Sequence, residues 1–140
     1  MAVIHLLFCA LVISICKATD CTRTTCKLND TSLRFFVLGD FGGQGEPPYY
    51  TQDQKAVADV MAKMGEQYKT HFQMELGDNF YTFGVTSVAD PRFNQTFRFV
   101  YTGSKAMYNP WYIIAGNHDH FPLLARVQAE IDYSKNESRW

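Results

Sequence analysis

The chain has 140 residues, of which 46% are hydrophobic and 15% aromatic, so it can fill the core of about one domain and is not a disordered segment. Its 13 basic and 14 acidic side chains give a net charge of −1. The sequence has no cluster of lysine and arginine residues that would indicate nucleic-acid binding.

The first 18 residues, MAVIHLLFCALVISICKA, form an apolar run that is too short to span a bilayer comfortably and that ends in small and polar residues near Ala18. We interpret residues 1–18 as a secretory signal peptide, with an uncleaved membrane anchor as the alternative. Its removal takes away Lys17, leaves the mature chain slightly more acidic, and leaves no stable membrane span.

Two cysteines, Cys21 and Cys26, remain after this cleavage. In an oxidising compartment they can close a small local loop or pair with a partner outside this chain. Sequons for N-glycosylation begin at Asn29, Asn94 and Asn136. Together with the leader, these sequons predict a secreted or lysosomal glycoprotein.

The first strand-loop-helix unit follows. The run LRFFVLGDF at 33–41 is almost entirely apolar before Gly-Asp, the pattern of a strand buried on both faces. The stretch GGQGEPPYY at 42–50 is rich in Gly and Pro and predicts a loop. Thr51 to Gln54 has the pattern of a capping box, and Gly65 is expected to end the helix. The expected apolar face consists of Ala56, Val57, Val60, Met61 and Met64.

The pattern then repeats twice. HFQMELGDN at 71–79 predicts a second strand ending in Gly-Asp, and WYIIAGNHDH at 111–120 predicts a third ending in Gly-Asn-His-Asp. Between them, residues 90–103 predict a helix with Pro91 in its first turn and Gly103 at its end. This alternation predicts an α/β fold with a parallel βαβαβ unit and right-handed crossovers.

Polar side chains follow all three predicted strands. Asp40, Asp78 and the pair Asn117-His118 each come directly after a glycine. Because functional groups gather beyond the carboxyl ends of parallel strands, we expect these groups at one edge of the sheet. Carboxylate, amide and imidazole ligands suit a cation site, and a shared carboxylate, naturally Asp78, can hold two ions roughly 3.5–4 Å apart. Taken singly, each of these side chains has the alternative role of a helix cap or turn residue.

Tyr81 lies three residues after Asp78, close enough for both side chains to reach one ion. A tyrosine titrates near ~10 and is a poor ligand, but a highly charged ion such as ferric iron can displace its proton. A lone tyrosine is otherwise a core or capping aromatic residue. We expect Asn79, between these two residues, to shape the loop rather than to bind metal.

The blocks GDFGG (39–43), GDNFY (77–81) and GNHDH (116–120) resemble the first three signature blocks of the purple acid phosphatases. The sequences of these blocks are most similar to those of the small tartrate-resistant type. The flanking segments NPWYIIAGNHDH and YSKNESRW extend the resemblance across essentially the whole mature chain.

One exchange separates this chain from the general metallophosphoesterase pattern, which carries Asp-x-His in its first block. Here that block reads Asp40-Phe41-Gly42, and Tyr81 offsets the missing histidine. This exchange distinguishes the purple type from protein-serine/threonine phosphatases and nucleases.

The resemblance implies a fold and a reaction. Residues 19–140 would be the N-terminal part of a calcineurin-like metallophosphoesterase domain, that is, the first half of a β-sandwich flanked by helices. The reaction would be hydrolysis of a phosphate monoester or phosphoprotein by a metal-bound hydroxide. The metals would be Fe3+ and a second divalent ion, Fe2+, Zn2+ or Mn2+.

The resemblance also implies roles for individual residues. Asp40, Asp78 and Tyr81 would bind the ferric ion, and Asp78 and Asn117 the second ion. His118 would lie near the substrate phosphate as an electrostatic stabiliser or acid. Asp119 and His120 would lie outside the direct ligands.

The family's later blocks carry three further histidine ligands that have no counterpart among His5, His71, His118 and His120. We therefore interpret the chain as the N-terminal part of a phosphatase, from an incomplete gene model or a truncated isoform, which by itself has only part of the site. Such a half is expected to expose apolar surface on its sheet. The alternatives are a non-catalytic secreted binding or decoy protein that keeps the motifs for folding, and a generic metallophosphodiesterase.

Overall fold

A computed structural model describes residues 18–21, 26–28, 32–121 and 125–140. Apart from Ala18, the predicted signal peptide lies outside the described residues, as does the sequon at Asn29. Strands β1 (Ala18–Cys21) and β2 (Cys26–Leu28) pair in antiparallel fashion, with the backbones of Cys21 and Cys26 opposite each other. No helix in the described part of the chain is long and apolar enough to cross a bilayer.

The central sheet has three parallel strands in the order β3-β4-β5. These are β3 (Phe35–Leu38), β4 (Phe72–Glu75) and β5 (Trp111–Ile113). Phe35 pairs with Phe72 across β3 and β4, and Gln73 pairs with Trp111 across β4 and β5. The predicted parallel α/β arrangement is confirmed, and it brings three carboxyl ends to one edge.

Helix α1 (Gln52–Tyr68) begins where the capping pattern predicts. The Thr51 side chain accepts a hydrogen bond from the Gln54 backbone N–H at 3.0 Å. The prediction that Gly65 ends the helix is wrong, because the helix continues to Tyr68. Its cap is Lys69, in left-handed conformation with φ 52°, whose N–H bonds to the Gly65 carbonyl.

The predicted apolar face of α1 is wrong at two positions. Ala56 and Val60 are exposed, Val60 by 53%, while the other three predicted positions are at least partly buried. The buried face of the helix differs from the predicted face because its small residues pack closely against a 3₁₀ helix, Lys105–Tyr108. A Cβ on Gly65 would lie 2.8 Å from the Ala106 Cβ. The buried residues of α1 are Gln54, Ala58, Met61, Ala62 and Gly65.

The helix predicted at 90–103 is shorter and of a different type. A six-residue π-helix spans Phe93–Arg98, and turns follow it. Phe93 and Phe97, about one turn apart in this helix, are both buried in the core. The Thr96 hydroxyl donates to the Tyr49 carbonyl at 2.8 Å and ties this segment to the glycine-rich loop.

Two α-helices near the carboxyl end were not predicted. Helix α2 is a single turn, Asn117–His120, and α3 spans Ala125–Tyr133. The sequence before α3, Pro-Leu-Leu, offers no capping residue, so the usual start signal is absent. Helix α3 buries Ala129, Glu130 and Tyr133 against the rest of the chain.

The core on the helical side of the sheet is aromatic, and Trp140 lies within it. Its indole stacks on the Phe80 ring with centroids 5.4 Å apart, and it meets the rings of Phe93 and Phe97 edge-on at 5.5 and 4.9 Å. The neighbouring Arg139 is buried and donates to two main-chain carbonyl groups. The last residues of the chain therefore support the loop that contains Phe80.

The other face of the sheet carries apolar side chains that remain partly open to solvent. Phe72 stacks on Phe35 with centroids 4.7 Å apart and meets Tyr112 edge-on at 5.3 Å. Along the same face, Met74 is 37% exposed and Ile114 58% exposed. This open apolar face agrees with the expectation for half of a sandwich.

Gly65 provides a test of the α1 packing. In an exposed helix, Gly→Ala stabilises a protein by about 1 kcal/mol. Gly65→Ala should instead lower the free energy of unfolding by about 1–3 kcal/mol, because the added methyl group overlaps the Ala106 Cβ. The check is urea unfolding, with the exposed neighbour Glu66→Ala as the control. Stabilisation by Gly65→Ala would show that the close helix contact is wrong.

Candidate metal centre

The three loops that follow β3, β4 and β5 are joined by hydrogen bonds. The Asp40 backbone N–H donates to the Gly77 carbonyl at 3.0 Å. The His118 backbone N–H donates to the Asp78 Oδ1 atom, also at 3.0 Å. The polar residues that were predicted to converge at the carboxyl edge of the sheet do so.

Close backbone approach at two glycines permits this convergence. A Cβ on Gly116 would collide with the backbone nitrogen and the carboxylate of Asp78. A Cβ on Gly42 would lie 2.8 Å from the backbone nitrogen atoms of Phe80 and Tyr81. The second loop therefore fits between the first and the third only because these positions carry no side chain.

Tyr81 connects the two carboxylates. Its hydroxyl group donates to Asp40 Oδ1 at 2.7 Å and lies 3.3 Å from Asp78 Oδ2. Both aspartates have left-handed backbone conformations, with φ of 57° and 58°, which turn their side chains back toward this point. Burial, followed by the neighbouring carboxylates, holds the pKa of Tyr81 well above its usual value.

His118 has a defined orientation beside Tyr81. Its Nδ1 atom lies 2.7 Å from the Thr82 carbonyl oxygen, and the two rings meet edge-on with centroids 4.7 Å apart. Because a carbonyl oxygen can only accept, we assign the proton of this bond to Nδ1, which leaves Nε2 available on the other side of the ring. Asn117, at the start of α2, is exposed next to this group.

Asn79 is fully buried, and its side chain bonds to groups other than the carboxylates of Asp40 and Asp78. Its side-chain amide donates to the Ile114 carbonyl at 2.9 Å and to Glu130 Oε2 at 2.8 Å. This geometry agrees with the expectation that Asn79 shapes the loop. Sequence reasoning missed Glu130 because it lies on the unpredicted helix α3.

Two buried acids lie behind the candidate centre. Burial, together with the charge of Asp119, raises the pKa of Glu130 to about 8. Burial also raises the pKa of Glu75 to about 10, although the backbone N–H of Leu76 donates to its Oε1 atom at 3.2 Å. Periodicity alone gave no signal for Glu75, which occupies a core position of β4.

The donor set fits part of a site for a highly charged cation. No cluster of three or more His, Cys, Asp and Glu side chains arranged to hold a metal ion occurs among the described residues. The centre instead combines two carboxylates with a phenol oxygen whose proton lies between them. A cation in place of that proton would compensate both carboxylates, so Asp40, Asp78 and Tyr81 fit such an ion.

Comparison with curated proteins finds several phosphatases similar to this chain. It is 43% identical over 109 residues to tartrate-resistant acid phosphatase type 5 of Oryctolagus cuniculus and 41% identical over 109 residues to that of Homo sapiens. Each alignment covers 78% of this chain and 33% of the relative. The chain is also 34% identical over 143 residues to purple acid phosphatase 4 of Arabidopsis thaliana, covering 99% of this chain and 40% of that protein.

The chain thus spans about a third of the length of the mammalian relatives it matches. No family model matches it. Among solved structures, GAP50, described as the anchor in the inner membrane complex of Plasmodium, aligns with a TM-score of 0.63 and 24% identity. That alignment covers 77% of this chain and 32% of that chain, and it supports the fold alone.

The raised pKa of Glu130 predicts a pH dependence of stability. Between its ordinary value of 4.5 and about 8, the folded chain holds a proton that the unfolded chain releases. The free energy of unfolding should therefore fall as pH rises through this window, by at most about 1.4 kcal/mol per pH unit for this group. Glu130→Gln should flatten that slope in urea unfolding measured across the window.

Glu75 titrates in the same direction, so some slope should remain in this variant. The exposed Glu66→Gln is the control and should leave the slope unchanged. Equal slopes in the wild type and in Glu130→Gln would contradict the assignment.

Proposed function

Because the chain is homologous to the N-terminal portion of the purple acid phosphatases, we propose that it is the corresponding part of a metal-dependent acid phosphatase. The substrates would be phosphate monoesters, including phosphoproteins. One observation carries this proposal: the Tyr81 hydroxyl lies 2.7 Å from Asp40 Oδ1 and 3.3 Å from Asp78 Oδ2. This geometry supports the proposal because Tyr81, in exchange for the histidine that the first block lacks, is the residue by which the sequence resembles the purple type.

In this proposal Asp40, Asp78 and Tyr81 hold a ferric ion. Asp78 and Asn117 hold a second divalent ion, Fe2+, Zn2+ or Mn2+, and the remaining ligands come from sequence that the relatives have outside the aligned third. When bound, the two ions would supply positive charge that polarises the phosphoester and acidifies water. Asp78 suits the shared position because its loop lies between the loops of Asp40 and Asn117.

His118 is the proposed residue for the substrate phosphate. Its Nδ1 atom is held by the Thr82 carbonyl and its ring rests edge-on against Tyr81, so the direction of Nε2 is fixed. In the doubly protonated form of the ring, the proton at Nε2 would stabilise negative charge on a phosphate oxygen or pass to the leaving group. Because the ring is oriented before substrate binds, little reorganisation is needed.

We also propose a secreted or lysosomal location, with residues 1–18 as the signal peptide. The side chains of Asn94 and Asn136 are exposed, as acceptors of N-glycans must be. The third acceptor, Asn29, lies outside the described residues.

The Tyr81 assignment predicts a spectroscopic signature. Titration of the chain with ferric iron should give a visible tyrosinate band, and Tyr81→Phe should remove it, because phenylalanine has no oxygen to bind the ion. The free energy of unfolding of the metal-free variant in urea should stay close to that of the wild type, since Tyr81 is only half-buried.

The three functional hypotheses predict different results in this experiment. A generic metallophosphodiesterase would bind metal without the band and would tolerate Tyr81→Phe. A non-catalytic binding protein would take up no stoichiometric metal. Either result would overturn the proposed function.

Removal of the proposed shared carboxylate predicts a larger effect on metal affinity. Loss of residues that only support metal ligands costs roughly 10–100-fold in affinity, so Asp78→Ala should weaken ferric binding by at least ~100-fold. Equilibrium titration with metal analysis is the measurement. Asp59→Ala, on the exposed face of α1, is the matched control. Wild-type affinity in Asp78→Ala would rule Asp78 out as a ligand.

A further inference from the structure

We propose that Asp119 is a positioning residue that clamps the loop of Asp78 and Tyr81 against the turn of Asn117 and His118. This inference rests on the proposed function, because it concerns residues placed there in the metal and phosphate sites. It adds a role to a residue that the motif comparison left without one.

The contacts of Asp119 carry the inference. Its side chain is 0% exposed, and Oδ2 accepts hydrogen bonds from the backbone N–H groups of Gly116 at 2.8 Å and Asn79 at 3.0 Å. Its Oδ1 atom accepts from the backbone N–H of Phe80 at 3.0 Å. One buried carboxylate therefore satisfies three amide groups from two different loops.

A helix cap explains only one of these bonds. An acid at the third position of a helix commonly reaches back to the N-cap amide, as Asp119 does to Gly116 in α2. The bonds to Asn79 and Phe80 span 40 and 39 residues of sequence, so they do nothing for α2. They hold the loop after β4 instead.

Each of the two loops has a carboxylate that accepts a hydrogen bond from the backbone of the other loop. Asp119 of the third loop binds the backbone of the second, while Asp78 of the second loop accepts from the His118 backbone N–H of the third through Oδ1. That bond leaves Asp78 Oδ2 on the side of the Tyr81 hydroxyl, 3.3 Å away. Asp119 and Asp78 thus form two carboxylate bridges between the loop of Asp78 and Tyr81 and the turn of His118.

Nearby contacts of the loop involve its side chains rather than the backbone N–H groups next to Asp78. The Asn79 side chain is held by Ile114 and Glu130, and the Phe80 ring stacks on Trp140. Those contacts hold side chains beneath the loop. Asp119 holds the main chain next to Asp78, which determines where the ligand atoms lie.

The test uses Asp119→Asn, which keeps the size of the side chain but turns one acceptor oxygen into an NH₂ group that faces a backbone N–H. Hydrogen exchange in the metal-free chain should accelerate about 10–100-fold at the Asn79 and Phe80 amides relative to the amides of β4. Ferric affinity should fall by roughly 10–100-fold, and the tyrosinate band should shift or weaken, because the ligands lose their fixed spacing.

Glu130→Gln is the matched control. It makes the same acid-to-amide change in a neighbouring buried position but touches the Asn79 side chain rather than the loop backbone. Both the loop amides and the tyrosinate band should stay close to wild type in this variant. A merely structural role for Asp119 would instead raise exchange uniformly across the sheet and leave the band of the remaining folded protein unchanged, which would overturn the proposal.

The proposed function and the proposed role of Asp119 can be contradicted independently of each other. If the wild-type chain gives no tyrosinate band with ferric iron, the proposed function fails, and exchange in the metal-free chain still decides the clamp. If Asp119→Asn does not fold, the wild type decides it: the Asn79 and Phe80 amides must exchange as slowly as those of β4. Rapid exchange at both amides in the wild type would contradict the clamp.

Discussion

The structure depends on backbone meeting backbone at the carboxyl edge of a three-stranded sheet. Gly42 and Gly116 allow the loops after β3 and β5 to touch the main chain of the loop after β4, where any side chain would collide. With the loops in contact, amide groups of one loop reach carboxylates of another. This contact brings Asp40 and Asp78 close enough for the Tyr81 hydroxyl to reach both carboxylates.

This edge concentrates acidic groups, and burial raises the pKa values of two of them. Asp40 and Asp78 share the Tyr81 hydroxyl, while Glu75 and Glu130 lie behind them with pKa values raised by burial. Protons on the two glutamates and on the Tyr81 hydroxyl limit the repulsion among these acids. Glu75 and Glu130 therefore favour the folded state more at acidic pH than at alkaline pH.

Local patterns predicted the parts of the fold that local chemistry determines. Near-continuous apolar runs that end in Gly-Asp or Gly-Asn predicted the three parallel strands and the meeting of the polar residues after them, and the capping pattern predicted the start of α1 at Thr51. Gly65 misled because a tertiary contact with Ala106, and not a chain reversal, requires a glycine there. Helix α3 has no start signal in the sequence, so Glu130 and its bond to Asn79 could not be foreseen. The metal ligand assignment itself stays a prediction.

The position of Trp140 in the core has a consequence for biosynthesis. Its ring supports Phe80 from beneath, yet it leaves the ribosome long after the loop that contains Asp78 and Tyr81. The candidate centre therefore cannot take its final shape while the chain is still emerging segment by segment. Under the proposed function, metal binding would follow synthesis of the segment that contains Trp140.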